Sequence, residues 1–93
     1  MKLIPSSYEH FVYLIYSEAK NIFYKGYSSD PVSRCKVHNE GESKYTSGKG
    51  PWKLVFVAGF EDKKSALEFE KKLKRGNKDH FQKLIQSPIN LLR

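Results

Sequence analysis

The 93-residue chain is poor in cysteine and in long apolar runs, and each shortage excludes something. Its one cysteine, Cys35, cannot close an internal disulfide and has no Cys or His partners at the spacing of a structural zinc site. The longest apolar runs, Phe11 to Tyr16 and Leu54 to Phe60, fall far short of the roughly 20 residues that span a bilayer, so no membrane span is expected. Met1-Lys2-Leu3-Ile4-Pro5 lacks the apolar stretch and cleavage site of a secretory signal, which makes the cytoplasm the expected location. No repeat, low-complexity tract or flexible linker divides the chain. One domain over residues 1–93 is expected, with a core at about 10–86 and a short arm at each end.

What is present is aromatic and basic. Six Phe, six Tyr and one Trp can fill a small core with few side chains, so a disordered chain is excluded. The net charge is +7, and the stretch from Lys63 to Lys83, with eight basic and three acidic residues, carries +5 of it. A basic helical flank attracts a polyanion, of which nucleic acid is the commonest; an ordinary solvated helix face has the same composition.

The order of elements follows from pattern and punctuation. Phe11 to Tyr16 and Ile22 to Tyr27 read as strands joined by the polar Ser17–Asn21 connection, which predicts an antiparallel hairpin. Asp30-Pro31 opens a helix to about Asn39, Glu40 to Pro51 is a long polar loop, and Trp52 to Ala58 is a third strand. Asp62 caps a helix that ends at Gly76, and a last helix covers about Lys78 to Ile85. The expected class is α+β: a small three-stranded antiparallel sheet flanked by three or more helices.

Some side chains are not explained by folding. On the helix after Asp62, the residues Ala66, Leu67, Phe69 and Leu73 define an apolar face, and at about 100° per residue Glu70 lies about 40° from Ala66, inside that face. A carboxylate there needs a partner: an ion pair, a tyrosine or lysine hydrogen bond, or a divalent cation. Arg34 and His38 lie four apart and share a helix face, with Val32 and Cys35 assigned to the core side. They are either an exposed pair or a guanidinium and imidazole aimed at a phosphate. Tyr13 and Tyr24 read as packing residues taken singly, and as part of a phosphodiester site taken with Arg34, His38 and Glu70.

Phe11-Val12-Tyr13 and Tyr24-Lys25-Gly26, with ten residues between the two tyrosines, are similar to the paired triplets of the GIY-YIG endonuclease family. Arg34, His38 and Glu70 follow in the family's order, and the stretches around His38 to Gly41, Ser43 to Thr46 and Pro51 to Val55 resemble its small stand-alone bacterial members. The family also includes the nuclease domain of excision-repair incision enzymes. Phe11 replaces the first glycine and Lys25 the middle apolar residue of the second triplet.

The resemblance implies a metal-dependent DNA endonuclease, in repair or recombination, that uses Mg²⁺ or Mn²⁺ held by Glu70. Arg34 would stabilise the attacked phosphate, and Tyr13 or His38 would serve as the base, with Tyr24 in support. Tyr13 could act so only with its pKa lowered by nearby cations. Gly26 would keep the backbone open to phosphate or simply end a strand. Lys25, Lys44, Lys71, Lys74, Arg75, Asn77 and Lys78 are the expected DNA contacts, with helix capping the simpler role for Asn77. DNA is the expected partner, with a homodimer or a partner protein for targeting and no small-molecule cofactor. A catalytically silent nucleic-acid-binding module of the same fold is the alternative.

Overall fold

The structure is a computed structural model and describes residues 8–41 and 45–92. The expectation for Lys44 and most of the N-terminal arm lie outside these residues. The element order is β1 (His10–Ser17), β2 (Ile22–Ser28), α1 (Pro31–Asn39), β3 (Trp52–Phe60), α2 (Lys63–Leu73) and α3 (Lys78–Ile85). β1 is central, with β2 and β3 antiparallel on either side. The architecture is the α+β arrangement expected, with three helices among the described residues.

The central strand is buried on both faces, which is why Phe11 to Ile15 is a continuous apolar run rather than an alternating one. Val12 and Leu14 pack with Phe56, Ala58, Ala66 and Leu73 and with Phe81 of α3. Phe11, Tyr13 and Ile15 point the other way, against Val57, Trp52 and Cys35 of α1. Thus α2 and α3 cover one face and α1 the other. Each large side chain buried in this way contributes about 1.5–3 kcal/mol.

All three helices start at the expected caps: Asp30, Asp62 and Asn77 accept backbone N–H donors from Ser33, Ser65 and His80. The outer edge of β3 is closed by the Asn90 side chain and the Leu91 backbone. Asn90 donates to the carbonyls of Val55 (3.0 Å) and Ile85 (2.9 Å) and accepts from the N–H of Val57 (3.2 Å), and the Leu91 N–H donates to Val57 O (2.9 Å).

Three expectations are corrected. β3 runs two residues further than Ala58, to Phe60, because its pairing with β1 continues to His10. Leu67 is 40% exposed: at about 100° from Ala66 it falls off the stripe that Ala66, Phe69 and Leu73 fill. Val32 is 48% exposed for the same reason, since the buried face of α1 is Pro31, Cys35 and His38.

Candidate active site

The hairpin register builds one wall of the site. Tyr13 pairs with Gly26 and Ile15 with Tyr24, so both tyrosines project from the sheet face that α1 covers. Gly26 is required by Tyr13 itself: a Cβ there would stand 2.4 Å from the Tyr13 hydroxyl and 2.5 Å from its ring carbon Cζ. The glycine therefore makes room for a phenol lying across β2, which replaces both the phosphate-access and the strand-end explanations.

The Asp30 cap and Pro31 fix the start of α1, and one turn of spacing places Cys35 and His38 on its buried face. His38, expected on an exposed or phosphate-facing side, is only 1% exposed, as is Tyr13. The Tyr13 hydroxyl and His38 Nε2 are 2.9 Å apart, and the Tyr24 ring meets the imidazole edge to face with centroids 5.1 Å apart. Arg34, half-buried at the rim of the same helix face, is close enough to both groups to shift their titration.

Electrostatics overturn one expectation. Burial pushes the Tyr13 phenol up; the Arg34 guanidinium opposes this, while Tyr24 and the Glu70 carboxylate add to it, and the net direction is upward. Tyr13 is not a phenol activated by nearby cations. His38 moves the other way, held below the ordinary imidazole value of 6.5 first by burial and then by Arg34. It is neutral near pH 7, with a lone pair able to receive a proton.

Tyr13 thus contacts His38 and lies within electrostatic reach of Arg34 of α1, of Tyr24 and of Glu70 of α2, the other four expected side chains. Glu70 is half-buried, and no ion pair engages it among the described residues. No group of three or more His, Cys, Asp or Glu that could hold a metal ion is found among the described residues. A single carboxylate still fits Mg²⁺, which takes one or two carboxylates and completes its shell with waters and substrate phosphate oxygens.

The expected phosphate contacts divide. Lys71 in the last turn of α2, Lys74 and Arg75 just after it and Lys78 at the start of α3 are exposed. Lys25 instead lies on the face of β2 opposite Tyr24, its Nζ 5.7 Å from the Phe81 ring centroid, a cation–π contact. This explains how a lysine stands where the family has an apolar residue. The Asn77 side-chain oxygen accepts from the His80 N–H (3.0 Å), so Asn77 is a cap.

Three residues of the site escaped the sequence reading. Thr46, in the polar loop, is 1% exposed, with its Oγ1 2.8 Å from His38 Nδ1. Its carbonyl accepts from Trp52 Nε1 (3.1 Å). Asn39 brackets the Trp52 backbone, donating to its carbonyl at 2.8 Å and accepting from its N–H. The advance signal was that Asn39, Thr46 and Trp52 lie in the stretches His38 to Gly41, Ser43 to Thr46 and Pro51 to Val55 that resemble the family's small stand-alone members, with no role attached to them.

Comparison with known proteins gives the chain's family. A family model described as the GIY-YIG catalytic domain matches residues 9–84. The chain is 38% identical over 76 residues to the UPF0213 protein YazA of Bacillus subtilis, covering 77% of this chain and 76% of that protein. It is 34% identical over 85 residues to a UPF0213 protein of Aeromonas salmonicida, covering 90% of this chain but spanning only 62% of that relative's length. The solution NMR structure of the UPF0213 protein BH0048 from Bacillus halodurans is similar with a TM-score of 0.54 at 31% identity, over 86% of this chain and 85% of that one.

Proposed function

Since the chain belongs to the GIY-YIG family, we propose that it is a metal-dependent endonuclease that hydrolyses DNA phosphodiester bonds, acting as one nuclease domain in DNA repair or recombination. The observation that carries this reading is the buried Tyr13–His38 contact, with Arg34, Tyr24 and Glu70 around it.

In this reading the attacking water gives its proton to the Tyr13 oxygen as the Tyr13 O–H bond breaks and that proton passes to His38 Nε2. His38 is the final acceptor, and Tyr13 the link between it and the water. A phenol with a raised pKa does this without ever becoming a free phenolate, because it loses one proton as it gains another. Tyr24, half-buried beside the imidazole, holds the ring edge and lines the approach. Arg34 forks onto the attacked phosphate and stabilises the charge that develops there. Glu70 would hold Mg²⁺ or Mn²⁺, and the ion supplies neutralisation of charge at the leaving oxygen when bound. The exposed Lys71, Lys74, Arg75 and Lys78 draw the DNA backbone along α2 and α3.

The test is strand cutting by the native chain on plasmid and branched DNA, with Mg²⁺ and then with a chelator. Cutting that needs the metal supports the reading. Salt-dependent binding without cutting on any DNA form would replace it with the silent binding module.

A further inference from the structure

Thr46 is out of place by composition. Tyr45, Ser47, Gly48 and Lys49 beside it are exposed, yet Thr46 is 1% exposed and held at both ends of the residue: its hydroxyl against His38 and its carbonyl under the Trp52 indole. Trp52 is itself fixed by Asn39 from the last turn of α1, so the loop is tied to the helix that carries His38. This is a rigid mounting for one hydroxyl group, aimed at one ring nitrogen.

The proton count around Tyr13 says what that hydroxyl does. Tyr13 has one hydroxyl proton and is buried, and among the described residues its hydroxyl hydrogen-bonds to His38 Nε2, at 2.9 Å. A buried hydroxyl proton given no acceptor costs about 1–3 kcal/mol, so the phenol donates to the partner it has. The phenol's own proton then has His38 Nε2 as its acceptor among the described residues. A neutral imidazole that accepts at Nε2 carries its proton on Nδ1, and the group facing Nδ1 is Thr46 Oγ1 at 2.8 Å.

We infer that Thr46 is a positioning residue, whose hydroxyl oxygen accepts the Nδ1 proton of His38 and holds the imidazole in the tautomer that leaves Nε2 open to the Tyr13 proton. In the other tautomer, Nε2–H points at the phenol and the relay has no acceptor. As His38 becomes an imidazolium during the reaction, the same hydroxyl continues to accept from Nδ1 and steadies the cation. The catalytic consequence rests on the nuclease reading above, whereas the tautomer does not.

Two variants separate acceptor from shape: Thr46→Ser keeps the hydroxyl, and Thr46→Val keeps the volume without it. Ring ¹⁵N shifts of His38 in the full native chain, without DNA, read the tautomer directly. The expected result is a protonated Nδ1 and an unprotonated Nε2 in native protein and Thr46→Ser, and a mixture or the reverse in Thr46→Val. A native His38 protonated at Nε2, or a Thr46→Val protein with an unchanged tautomer, overturns the inference. If Thr46→Val does not fold, the native tautomer alone decides.

In the cleavage assay Thr46→Val should lower kcat about 10–100-fold with KM unchanged, and Thr46→Ser should restore most of it. A native protein with the expected tautomer that cuts no DNA would refute the nuclease reading and leave the positioning role intact. One that cuts DNA with the opposite tautomer would do the reverse.

Discussion

Replacing Gly26 by alanine tests the packing on which the site is built. The added methyl would stand 2.4 Å from the Tyr13 hydroxyl oxygen, 2.5 Å from Cζ and 2.9 Å from Cε1, well inside van der Waals contact. Tyr13 cannot swing aside cheaply, because it is 1% exposed and its hydroxyl is held 2.9 Å from His38. Overpacking of a buried site costs about 1–3 kcal/mol, and a broken buried hydrogen bond about 1–3 kcal/mol more. Against this, alanine loses less chain entropy than glycine on folding, a gain of about 0.4–1 kcal/mol. The net expectation is a loss of about 2–4 kcal/mol, read as a fall of about 1–2 M in the urea midpoint. In a Tyr13→Leu background, where the ring that meets the methyl is gone, the same change should cost little. Equal stability of Gly26→Ala and native protein, or an equal loss in both backgrounds, would refute the close approach of Tyr13 to β2.

Further outcomes follow from other parts of the molecule. Asn90→Ala should destabilise by about 2–4 kcal/mol in urea unfolding, since several backbone groups of β3 and the C-terminal segment lose the one side chain that serves them. His38 has a folded pKa below its unfolded value of 6.5, so the unfolded chain binds more protons just below that pH. Its contribution is therefore constant above pH 6.5 and turns destabilising as pH falls toward the folded pKa; His38→Gln should flatten the fall of the urea midpoint just below pH 6.5. Charge removal at Lys71, Lys74, Arg75 and Lys78 should weaken DNA binding uniformly across sequences. Each lost phosphate contact should lower the slope of log affinity against log salt by about 0.9, and an unchanged slope would remove α2 and α3 from the interface.

The parts of the fold that are local in the chain were legible in the sequence. Asp30-Pro31, Asp62 and Asn77 each announce a helix start because a cap needs only residues within one turn. The central strand was legible as an unbroken apolar run, and Glu70 as a carboxylate inside an apolar helix face. What escaped depends on distant partners. Thr46 looks like any polar loop residue until His38 is placed beside it, and Gly26 owes its identity to a ring on another strand. The role of Lys25 is set by Phe81, more than fifty positions away, and the direction of the Tyr13 shift by burial that no spacing reveals. Loss of Leu67 and Val32 from the core came from treating a helix face as wider than the sheet beneath it covers.

The central claim is that one carboxylate, one guanidinium and the Tyr13–His38 pair act together on a bound phosphate. Its most direct test measures cleavage and binding in parallel for native protein, Glu70→Ala and Arg34→Ala, on one labelled DNA in Mg²⁺. Both variants should lose at least about 100-fold in cleavage, while Glu70→Ala keeps native affinity. Cleavage by Glu70→Ala at the native rate would contradict that claim.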